Sequence, residues 1–153
     1  MVKRLLAVIG ICCASSVQAY IPAGTTMKAV VGSEVKITDQ KQSPIVLLVQ
    51  DKNITGKCLL LGRAGVDVDN QRVHIFSNAM HCDYQDGRAP ETIEMEAVVF
   101  SETGELGIPT ILARESDSLL TSSYPGLGQG NTDKFSAVVS AGQKVTVAVQ
   151  KGG

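Results

Sequence analysis

Period-two alternation is the feature that most narrows what this chain can fold into. In Thr92–Phe100, Ile93, Met95, Ala97 and Val99 fall on one side and Glu94 and Glu96 on the other. Lys144–Gln150 repeats the pattern, with Val145, Val147 and Val149 on one side and Lys144, Thr146 and Gln150 on the other. Side chains of a strand point to opposite faces in turn, so each stretch predicts a strand with one buried face. Shorter candidate strands recur at Thr26–Val31, Val35–Thr38, Ile45–Gln50, Lys57–Gly62, Arg72–Phe76 and Ala79–Tyr84, with turn residues between them. In Arg72–Phe76, Val73 and Ile75 share a face and His74 stands opposite. Ile45–Gln50 is continuously apolar after Pro44, compatible with burial on both faces. Asp86-Gly87 is a hairpin-type turn, and Asp67-Val68-Asp69-Asn70 reads as a polar turn between strands rather than a calcium loop. Val, Ile and Thr make up about a quarter of residues 20–153, which favours strands.

These runs predict an all-β fold, a small β-barrel or sandwich. It admits one short helix around 110–121, where Ile111, Leu112, Glu115, Leu119 and Leu120 partly match helical spacing. Residues 122–134, with Ser122, Ser123, Gly126, Gly128 and Gly130, read as a flexible loop. One internal echo stands out. Ile21-Pro22-Ala23-Gly24 leads into a strand as Val139-Ser140-Ala141-Gly142 does, each with a Gly that permits a positive φ.

Residues 1–19 have the form of a secretory signal peptide. Lys3 and Arg4 precede the apolar run Leu5–Ala14, and Val17 and Ala19 suit cleavage before Tyr20. The run would reach only ~15 Å as a helix, about half of a ~30 Å hydrocarbon core. Ile11 before Cys12, and Cys12 before Cys13, do not form a lipidation motif. The remaining 20–153 read as a single domain. Without Lys3 and Arg4 it carries 12 basic and 15 acidic residues, a balance that argues against a nucleic-acid binder held by bulk charge. Two cysteines remain, Cys58 and Cys82. In an oxidising compartment that even count suggests one disulfide, with two free buried thiols as the alternative.

Catalytic patterns do not emerge. The sequence has no Gly-x-Ser-x-Gly elbow, phosphate loop or dinucleotide fingerprint, and no cofactor is expected. His74 with His81-Cys82-Asp83 could suggest a metal. On a strand, however, Cys82 points away from His81 and Asp83, so no metal site is expected. Glu91, Glu94 and Glu96 read as a solvated strand face rather than an acid pair.

In order and spacing, several stretches together resemble the C-terminal domain of TraB/TrbI-type subunits of conjugative type IV secretion systems. Ile21–Val30 looks like the family's opening strand and Pro44–Val49 like its next long one. Gly56–Gly62 and Gln71–Phe76 are similar to the strands that follow. Met80-His81-Cys82 sits where some members carry a second cysteine, Glu96–Ile108 is similar to a following Gly-containing region, and Ala141–Val147 looks like the closing strand. The resemblance spans essentially all of residues 20–153. It implies a structural, non-enzymatic periplasmic domain in a Gram-negative bacterium, peripheral to the outer membrane. Its partners would be further copies of itself, in a homo-oligomeric ring, and other secretion-system core subunits, with no nucleic acid bound directly. Contacts are expected on the strands near each terminus, through Met27, Ala29, Val31, Lys144, Thr146 and Ala148. Residues 119–136 are too short and polar for two spanning helices, so pore formation by this chain alone is not expected. A periplasmic small-molecule or peptide binding module is the alternative reading.

Overall fold

The computed structural model describes residues 21–52, 54, 56–115 and 134–152. The expected signal peptide lies outside the described residues, as does nearly all of the expected loop at 122–134. Ten strands occur in the described residues: β1 (Thr26–Val31), β2 (Val35–Thr38), β3 (Ser43–Val49), β4 (Lys57–Asp67), β5 (Arg72–Asp83), β6 (Glu91–Phe100), β7 (Ile108–Pro109), β8 (Ala113–Glu115), β9 (Lys134–Val139) and β10 (Lys144–Lys151). The fold is all-β, as the alternation requires.

Strand adjacency decides between barrel and sandwich. β1 pairs with β10 and β3, β10 with β6, β6 with β5, β5 with β4, and β4 with β3, all antiparallel. The six strands therefore close on themselves as a barrel, which removes their free edges. β2, β9 and β8 form a separate small sheet, and β7 pairs with the start of β5. The small sheet contributes Ile37, Ala137 and Val139 to the same core that the barrel strands fill.

The alternating faces behave as their sequences require. Ile93, Met95, Ala97 and Val99 are buried along β6, and Val145, Val147 and Val149 along β10. β3 is buried on one face only: Ile45 and Leu47 are in the core while Leu48 is exposed. The run is paired on both edges, but its outward side chains Val46 and Leu48 are apolar without being buried. The turn after Asp67 links β4 to β5. Asn70 donates its backbone N–H and its side-chain N–H to the Asp67 carboxylate, at 3.2 and 2.8 Å.

The sequence echo appears as a local two-fold arrangement of β1 and β10. Gly24 and Gly142 both have positive φ, 88° and 80°. Gly24 N donates to Val149 O at 2.8 Å, and Gly142 N to Val31 O at 2.7 Å. Thr26 pairs with Ala148 and Val30 with Lys144, symmetrically about Lys28 and Thr146. At that centre Lys28 Nζ donates to Thr146 Oγ1 at 2.9 Å.

The helix expected around 110–121 needs correction. Residues 110–112 have no helical structure, Ala113–Glu115 is strand β8, and 116–121 lie outside the described residues. Pairing holds this stretch extended. Pro109 and Ile108 face Arg72 and Val73 of β5, Thr110 N donates to Gln71 O at 3.0 Å, and Arg114 pairs with Phe135. Three strand contacts outweigh a partial helical spacing, because local propensity is a weak term.

Candidate interaction groove

Cys58 and Cys82 are directly opposite each other on β4 and β5, 4.1 Å apart at Cα, and form a disulfide. Both are buried in the core. The bond ties the open end of the β4–β5 hairpin, 24 residues apart in sequence. Among the described residues no three His, Cys, Asp or Glu side chains converge as a metal site. His81 lies outward with Nδ1 2.9 Å from Thr92 Oγ1, away from the cystine.

The contact residues expected near the termini divide sharply. Met27, Ala29 and Val31 are buried in the core, so they present no surface to a partner. β1 and β10 are bonded to neighbours on both sides and offer no open backbone edge. Lys144 is exposed, and Thr146 and Ala148 are half-buried. A contact here would have to rest on this outward set. The inward set follows from period two itself: on a closed barrel, alternate residues of every strand fill the interior.

A different surface feature arises between β4, β5 and β6. Leu61 faces Ala79, but the next residue, Gly62, faces Ser77, so Asn78 is an extra residue in β5. Against β6 the shift runs the other way: Ala97 faces Ser77 and Glu94 faces Ala79, so there β6 carries the extra residue. Such a bulge bends its strand and re-aims side chains. Two residues make it fit. Gly62 lies so close to β5 that a Cβ there would strike the carbonyl oxygen of Phe76. Ser77 is buried, and its Oγ donates to Leu61 O at 2.8 Å. The hydroxyl thus pairs with a carbonyl beside the shifted register. Ser77→Ala should leave that oxygen poorly paired and cost about 1–3 kcal/mol. Urea unfolding measures it; wild-type stability in the variant would mean another donor serves Leu61 O.

Next to the bulge, Phe76 points outward and is 56% exposed. Arg63, Phe76 and Val98 stand side by side on β4, β5 and β6, and Ala148 continues the row on β10. Together with Asn78, Glu96 and Ala97, the first three line a groove of about 530 Å³. Phe76, Ala97 and Val98 are its apolar lining, with Gln42, Ser77 and Gln150 among the polar groups beside them. Arg63 stands on one wall and Glu96 on the other, where Lys151 Nζ approaches Glu96 at 3.9 Å. The arrangement suits an apolar side chain flanked by charge. It places no nucleophile beside a base.

A second polar cluster, near β7, is structural. Arg72 donates to Leu106 O at 2.7 Å, to Gly107 O at 3.1 Å and to Glu105 at 2.9 Å. His74 Nε2 lies 3.2 Å from Asp67 Oδ2. Hydrogen bonds from the Asn70 side chain and backbone, then from His74, hold the Asp67 carboxyl below its usual range against a small opposing effect of burial.

Reading the sequence for sites missed Phe76, Asn78 and Arg63. The available signal was alternation: with Val73 and Ile75 inward, Phe76 falls on the outward face, an unusual place for an aromatic. The bulge itself had no sequence signature.

No family model matches the sequence, and no curated protein matches it. Among solved structures the chain is similar to ComB10 of the Com type IV secretion system of Helicobacter pylori. The two are 9% identical with a TM-score of 0.46, over 87% of this chain and 88% of that one.

Proposed function

We propose that this chain is a non-catalytic structural subunit of a type IV secretion or conjugation outer-membrane core complex. Residues 1–19 would export it as a cleaved signal peptide, and residues 20–153 would act as one β domain in the periplasm of a Gram-negative bacterium. It would associate peripherally with the outer membrane and work by assembly, as a homo-oligomeric ring and with other core subunits. The observation that carries this reading is the groove around Phe76. An outward aromatic on a barrel whose strands are otherwise fully paired is a surface built to be covered. The order of resembling stretches along the chain supplies the type of complex. The cystine supports an oxidising compartment. A balanced charge and no basic run speak against direct nucleic-acid binding.

The test is the exported protein, purified from the periplasm with its disulfide intact. Size exclusion with light scattering is run alone and with candidate core subunits. Oligomers or mixed complexes are expected; a strict monomer that joins nothing overturns the proposal. The same groove also suits the second reading, a small-molecule or peptide binding module. A monomer that retains peptides from an equilibrium-dialysis panel would move the assignment there.

A further inference from the structure

We draw no further inference here: the strongest candidate, the groove beside Phe76 on the outer face of β4, β5 and β6, belongs to the site already described, and nothing in the structure shows what covers it.

Discussion

Gly107→Ala is expected to cost about 2–5 kcal/mol and to lower the unfolding midpoint by roughly 10 °C. Two independent penalties meet at this residue. Its φ is +78°, a region where a Cβ costs roughly 1–2 kcal/mol. That Cβ would also lie 2.8 Å from Val73 O and 3.0 Å from His74 Nδ1. Relief by movement is blocked on both sides of the residue. Gly107 N donates to Val99 O at 2.8 Å, and its carbonyl accepts from Arg72 at 3.1 Å. Ile108, the next residue, is buried in the core, so a shift would pull a core side chain with it. Gly104→Ala is the matched control. Its φ is +85°, but nothing lies within 4 Å of the added atom, so only the backbone penalty applies. Thermal and urea unfolding of the two variants should differ by the crowding cost, about 1–3 kcal/mol. Equal losses would show that contact with Val73 and His74 is not what holds this position to glycine.

Removing the Cys58–Cys82 bond should cost roughly 3.5 kcal/mol in the chain-entropy account, given the 24-residue separation of its ends. The barrel should feel this strongly. β4 and β5 make the longest pairing in the fold, and the cystine sits at the end of that hairpin opposite its turn. Without it, the two strands can separate from their open end without crossing any covalent tie. Cys58→Ala/Cys82→Ala should unfold roughly 10 °C below wild type, a little more if the space left by two buried sulfurs stays empty. Because both sulfurs are buried, wild type exposed to a thiol reductant should resist reduction until it unfolds, and then refold with the stability of the double variant. A double variant as stable as wild type would show that strand pairing alone closes the barrel.

Much of this architecture was legible residue by residue. The inward faces of β6 and β10 follow from Ile93 to Val99 and Val145 to Val149, because alternation is a property of a single strand and needs no neighbour. The turn at Asp67–Asn70 was readable for the same reason, since its hydrogen bonds close within four residues. The cystine could be inferred from the two cysteines of residues 20–153 together with an expected oxidising compartment. The echo at Gly24 and Gly142 marked two similar turns, but nothing in it said that the strands they open would pair with each other.

What failed in the reading depended on partners distant in sequence. Met27, Ala29 and Val31 suit a strand near a chain terminus, which often lies at an edge. In the fold β1 is walled in by β3 and β10, and those three side chains are interior. The stretch around Ile111 has a partly helical spacing, yet strand contacts with β5 and β9 on either side of it keep the chain extended. The bulge at Asn78 is a mismatch among three strands and has no meaning for one of them alone. By itself, then, the sequence settled which residues alternate, where short turns fall and that the fold is built of strands, since each depends on covalent neighbours. Tertiary structure alone decided that six strands close into a barrel, that β1 and β10 have no free edge, and that Phe76 stands in an open groove. Those outcomes depend on which distant strands become neighbours, and adjacency is a choice made by the whole chain.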